Sequence, residues 1–222
     1  GVYVETDEGD ADTLYLAYLD LASGDLETVI DGDGWNVDGI ALDDDTGRFV
    51  CSRNVEGYTE VTVGEFDADD PTEYDEFPAP DLPGGVAGGV SFGPDAERVA
   101  ISTSGDTVNT NVFVVDIEAL RSSGSTTQSH DLESSAVDQW TSAPTAGIPR
   151  ESFDESDLVH VESFDGLEVP GFLTLPDDYE EGQTPVIVDI HGGPESQRRP
   201  SFSSVKQYFT DRGYAYFEPN VR

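Results

Sequence analysis

Through the first two-thirds of the chain, apolar and polar residues alternate in short runs with a period of two. Residues 13–20, 60–66 and 111–117 are such runs, and the pattern predicts half-buried β-strands. The runs also repeat. Residues 42–52 align without gaps on residues 92–102, an offset of fifty, and each copy reads strand, tight polar turn, strand. Residues 13–20 stand where the following strand of an earlier unit belongs. A period of roughly 40–50 residues built from short strands predicts propeller blades, with a solenoid or a sandwich as alternatives. Three partial units do not close a ring, so further blades are expected upstream.

The pattern then changes. Residues 122–127 and 134–150 are polar, with Pro144, Gly147 and Pro149, and read as a last loop of the repeat followed by a linker. A hairpin comes next. Residues 158–164 and 167–175 flank Asp165-Gly166, a dipeptide that favours a type I′ turn. Residues 185–190 are apolar until Asp189 and read as a buried strand. Val205, Tyr208 and Phe209 lie at helical spacing, with Ser203 or Ser204 as N-cap and Gly213 as the residue that ends the helix. Residues 214–217 form the next strand. Strand, helix, strand over this length implies a parallel sheet. The expected fold class is incomplete all-β propeller blades over residues 1–150, then the opening of an α/β domain over residues 151–222.

Charge sharpens this picture. There are 47 acidic and 10 basic residues, a net charge of −37. Disorder by self-repulsion is a poor fit, because 36% of residues are hydrophobic and fall in strand-like runs. At about 1 M salt the Debye length is only about 3 Å, so the acidity reads as adaptation to a salty cytoplasm. No basic stripe offers itself to nucleic acid, no run is long enough to span a membrane, and no signal peptide is visible after Gly1. The acidic excess stops at Gln183. From there to Arg222 four acids meet five bases, among them Lys206, the only lysine. That balance suits a stretch packed inside a domain or lining a site. Cys51 is the one cysteine and reads as a core thiol.

The chemistry concentrates in His191-Gly192-Gly193-Pro194, directly after the apolar run. Adjacent glycines at a strand end let the backbone turn sharply and expose N–H groups, the donors an acyl-transfer enzyme needs for a developing oxyanion. Residues 153–222 resemble the prolyl oligopeptidase family of serine peptidases, closest to its acylaminoacyl-peptidase-like branch. The likeness rests on Phe164-Asp165-Gly166-Leu167-Glu168-Val169, Gly171-Phe172-Leu173, Leu175-Pro176 and His191-Gly192-Gly193-Pro194. It continues through Gln207-Tyr208-Phe209, Arg212-Gly213-Tyr214-Ala215 and Pro219-Asn220-Val221-Arg222. The resemblance implies a β-propeller ahead of an α/β-hydrolase domain, the order read here. It also implies that Gly193 gives its backbone N–H to the oxyanion while Gly192 supports the turn. By the same resemblance the Ser, acid and His of the triad lie beyond Arg222, the fragment alone is inactive, and the propeller restricts entry to short or unfolded peptides. The implied activity is peptide hydrolysis by acyl transfer in the cytoplasm, with a peptide as partner and no cofactor or metal, and with homo-oligomerisation open. An esterase-like hydrolase and a propeller binding module with a degenerate hydrolase domain are the alternatives.

Other candidates are weaker. Gly89-Val90-Ser91-Phe92-Gly93 matches the G-x-S-x-G nucleophile elbow, but a strand rather than a helix is expected after it, so Ser91 reads as a blade residue. Asp31-Gly32-Asp33-Gly34 and Asp43-Asp44-Asp45-Thr46-Gly47 lack EF-hand spacing and read as turns. His191 reads as a packing residue, and neither His130 nor His160 reads as a catalytic base. Arg198 and Arg199 are expected to pair with neighbouring acids rather than with substrate.

Overall fold

The structure, a computed structural model, describes residues 1–9, 11–123, 136–193 and 196–220. Four sheets follow one another along the chain. The first is antiparallel: β1 (Val2–Thr6), β2 (Tyr15–Leu19) and β3 (Leu26–Ile30). The second comprises β4 (Val37–Leu42), β5 (Arg48–Val55), β6 (Tyr58–Phe66) and β7 (Tyr74–Glu76), in that spatial order. The third repeats it with β8 (Val86–Phe92), β9 (Arg98–Gly105), β10 (Val108–Asp116) and β11 (Val137–Gln139). The fifty-residue offset is therefore structural: β5 maps on β9 and β6 on β10. By the same order β2 matches β6, as its sequence implied.

The stacking explains the alternation. Phe49 and Cys51 of β5 face the first sheet and pack with Leu16, Val37 and Phe66. Val50, between them, faces the third sheet and packs with Val63, Val99, Ile101 and Val115. A strand covered on both sides buries successive residues in two different cores. Tyr3, Phe66 and Phe49 stack in series with ring centroids 4.3 and 4.4 Å apart. Cys51 is a free, buried thiol, and burial pushes its pKa up to about 11.

The fourth sheet has the order β12-β13-β15-β14. It comprises β12 (Ser156–Glu162), β13 (Glu168–Thr174), β14 (Val186–Val188) and β15 (Ala215–Pro219). β14 and β15 are parallel, and the other pairs are antiparallel. Two α-helices are present among the described residues: α1 (Ile117–Ser123), which follows β10, and α2 (Ser204–Thr210), which connects β14 to β15.

Several expectations need correction. The span read as a linker from residue 134 contains β11, the fourth strand of the third sheet; residues 124–135, His130 among them, lie outside the described residues. α1 was not anticipated. The Asp165-Gly166 turn is not type I′, because only Gly166 has a positive φ (84°). The turn instead runs Ser163 to Gly166, closed by Gly166 N–H on Ser163 O at 2.9 Å. A turn of the I′ kind occurs at Glu56-Gly57, with φ of 51° and 93°. β14 is shorter than its apolar run and is not buried. It pairs only with β15 among the described residues, and Val186 and Val188 are 55% and 51% exposed.

α2 starts as expected. The Ser203 side chain accepts from Lys206 N–H, and Gly213 (φ 80°) closes the end with its N–H on Thr210 O. Its faces follow the apolar reading only at Phe209, which is half-buried against the Tyr214 and Tyr216 rings. Lys206, Gln207 and Thr210 are buried, while Val205 and Tyr208 are exposed. The buried face is polar because it meets the tip of a blade hairpin.

Candidate active site

β14 ends at Val188, and Asp189 N–H adds one more bond to β15 at Phe217 O, 2.8 Å. His191, Gly192 and Gly193 follow, at the carboxyl end of two parallel strands. That is the end at which open α/β sheets bind ligands. Gly192 and Gly193 are exposed, and a side chain at Gly192 would meet nothing within 4 Å. Gly193 has φ 149°, a conformation that side chains disfavour. Its N–H has no partner among the described residues. The His191 ring lies against its own loop, with Nδ1 2.8 Å from Gly192 O. Its Nε2 is buried and unpartnered among the described residues. Pro194 lies outside the described residues.

The loop beyond is held by charge and amide pairing. Arg198 reaches back to Asp189 Oδ1 at 2.5 Å, and the Tyr216 hydroxyl donates to Asp189 Oδ2 at 2.9 Å. Burial, then the bond and charge of Asp189, push the Tyr216 phenol up to about 12. Asn220, just past β15, clasps the Arg198 backbone: its Oδ1 accepts from the N–H at 2.5 Å and its Nδ2 donates to the carbonyl at 3.1 Å. Arg199 turns the other way and ties the loop to the second sheet. Its Nε donates to Gly57 O at 2.8 Å and its guanidinium also meets Thr59 Oγ1 and Asp38. Both arginines pair within the protein, as the surplus of acids suggested.

The hairpin tips of the second and third sheets, equivalent in the repeat, both touch the fourth-sheet region. Gly57 packs so tightly on Phe172 that a Cβ there would stand 3.0 Å from its ring. Asp106, at the β9–β10 tip, accepts from Lys206 Nζ at 2.6 Å and from Ser156 Oγ at 2.9 Å. Lys206 is 1% exposed and also donates to Ser156 Oγ (2.9 Å) and Glu218 Oε2 (3.2 Å). Beside it, Gln207 exchanges two 2.8 Å bonds with the backbone of Asp154. Between the β5–β6 tip, the fourth sheet and the loop lies a cleft of about 710 Å³, lined by Trp35, Asn36, Glu56, His160, Gln197 and Asn220 among others. His160 Nε2 meets Glu56 Oε1 at 3.0 Å on its wall.

Ser91 sits in β8 opposite Ala100, and Gly93 N–H closes a turn onto Arg98 O. The segment is strand, turn, strand, so the elbow match is a coincidence of composition. The acidic turns are likewise self-capped: Asp31 accepts from Asp33 N–H, and Asp43 from the Thr46 N–H and hydroxyl.

No protein-family model matches the chain, and no curated protein does. Solved structures do match. A prolyl endopeptidase shares 18% identity at a TM-score of 0.75, over 99% of this chain and 30% of its own. Prolyl oligopeptidase B from Galerina marginata shares 17% at 0.76, over 99% and 29%. The acylaminoacyl peptidase from Pyrococcus horikoshii shares 20% at 0.64, over 95% and 28%. The chain has the fold of that stretch of a prolyl oligopeptidase. It spans about 30% of the prolyl endopeptidase's length. No described helix is long and apolar enough to cross a membrane.

Sequence reasoning located the glycines and expected Arg198 to pair with an acid, but missed Asp189, Tyr216 and Asn220 around the loop and the Lys206–Asp106 pair near it. One signal was present. A lone lysine in so acidic a chain sits in the stretch where charges balance.

Proposed function

We propose that the complete protein is a serine peptidase that cleaves short peptides by acyl transfer. Residues 1–150 would supply propeller blades and residues 151–222 the opening of the catalytic domain. Gly193 would give its N–H to the oxyanion and Gly192 would let the chain turn without a side chain in the way. The observation that carries this reading is exposed Gly193, past the carboxyl end of β14, with an N–H that has no partner among the described residues; Ser196 and Gln197 of the same loop line a cleft shared by blade and sheet. A fixed donor at such a place is worth about 3–4 kcal/mol of transition-state stabilisation. The nucleophile, its histidine base and the orienting acid would come from residues outside this chain. The acidic surface fits a cytoplasm at molar salt, where screening removes most self-repulsion.

The test uses the complete protein in molar KCl with peptide p-nitroanilides and a fluorophosphonate probe. Turnover and labelling are expected, both unchanged by Ser91→Ala. Absence of both, or their loss in Ser91→Ala, overturns the proposal.

A further inference from the structure

We infer that Arg198 is a positioning residue for the Gly193 amide, and that Lys206 couples it to the β9–β10 hairpin; the catalytic part of this inference rests on the peptidase reading above. Sheet pairing stops at Asp189, and residues 190–193, 196 and 197 make no hydrogen bond from main chain to main chain among the described residues. What closes the loop is the Asp189–Arg198 ion pair, whose two members flank His191-Gly192-Gly193. Tyr216, 5% exposed in β15, fixes one end through Asp189, and Asn220 fixes the other through the Arg198 backbone. The direction of the Gly193 N–H is thus set by a clamp across the base of its loop.

The clamp extends. Arg198 Nε is buried without a hydrogen bond and lies 3.9 Å from Glu218 Oε1. Glu218 gives its other oxygen to Lys206, and Lys206 holds Asp106. Charges alternate along the series Asp106, Lys206, Glu218, Arg198, Asp189. Glu218, the carboxylate shared between two cations, holds more strongly to either one when the other is lost, because its charge sits in a poorly solvated place. Withdrawal of the hairpin from Lys206 would therefore strengthen the Lys206–Glu218 bond and alter the field that holds Arg198. That is an energetic coupling between a blade tip and the oxyanion loop, carried by a contiguous set of ionic contacts.

Arg198→Met is the decisive variant. Glu218 keeps Lys206 and Asp189 keeps the Tyr216 hydroxyl, so no carboxylate is stranded. In the complete protein kcat should fall about tenfold to a hundredfold, since small misplacements of a catalytic group cost that much. KM should stay within about twofold. Arg198→Lys should recover part of the loss, because an ammonium can reach Asp189. Asp106→Asn, remote from the loop, should lower kcat by a smaller factor. In glycine-selective ¹⁵N spectra the Gly193 signal should move in both Arg198→Met and Asp106→Asn. An unmoved Gly193 signal in Arg198→Met overturns the positioning role, and an unmoved signal in Asp106→Asn overturns the coupling. A loss that Arg198→Lys does not relieve and that follows thermal unfolding also overturns the positioning role. The spectra need no activity. If wild type neither turns over peptide nor takes the fluorophosphonate, the peptidase reading falls while the Gly193 shifts still decide the clamp.

Discussion

Replacing Lys206 by Met removes the cation on which two regions of the structure converge. The side chain is 1% exposed, and the Asp106 and Glu218 side chains retain only 10% and 9% exposure. Breaking a buried pair by deleting one partner costs about 3–5 kcal/mol, because the remaining charge stays desolvated. Both carboxylates here keep some help. Asp106 still accepts from Ser156, and Glu218 still faces Arg198 at 3.9 Å. The low end applies, about 3 kcal/mol. At about 2–4 °C per kcal/mol for a chain of this size, Tm should drop by about 6–12 °C. Thermal unfolding followed by Trp35 and Trp140 fluorescence, at fixed molar KCl, measures the Tm, and denaturant titration under the same salt measures the free energy. The triple variant Lys206→Met, Asp106→Asn, Glu218→Gln should regain most of the loss, since it strands no charge. Arg98→Ala breaks a 3.9 Å pair with Asp116 whose side chains are 61% and 45% exposed, and should cost at most about 1 kcal/mol. If Lys206→Met costs no more than Arg98→Ala, the buried network is not what joins the blade tip to the sheet.

Three further outcomes are expected. Gly57→Val places a branched side chain at φ 93° and against Phe172; left-handed backbone alone costs about 1–2 kcal/mol, so denaturation should show at least that loss. Ser203→Ala deletes the α2 cap and should lower stability by about 1 kcal/mol in the same assay. Tyr216 keeps its proton to higher pH folded than unfolded, its pKa pushed from 10.0 to about 12. Its contribution is therefore intact below pH 10.0 and lost as pH rises toward about 12. The stability gap between wild type and Tyr216→Phe should shrink over that window.

The repeat and the strand–helix–strand order were legible because each rests on local pattern: period two, a fifty-residue offset, a cap and a stop. The misreadings share a cause. Whether Val186 and Val188 are buried depends on what lies beside β14, and α2 presents Lys206 and Gln207 inward because Asp106 and Asp154 wait there. Such partners sit up to a hundred residues away in sequence and leave no periodic trace. β11 is only three residues long, too short to announce itself between polar neighbours. The Asp165-Gly166 turn failed because one dipeptide serves more than one hairpin geometry.

The direct measurement is a crystal structure of the complete protein inactivated by a peptidyl phosphonate, whose phosphonyl oxygen occupies the place of the oxyanion. The Gly193 nitrogen should lie about 2.7–3.1 Å from that oxygen, with the Asp189–Arg198 pair intact behind it. An adduct whose oxygen points away from Gly193, or a Gly193 N–H bonded within the protein, would contradict the account.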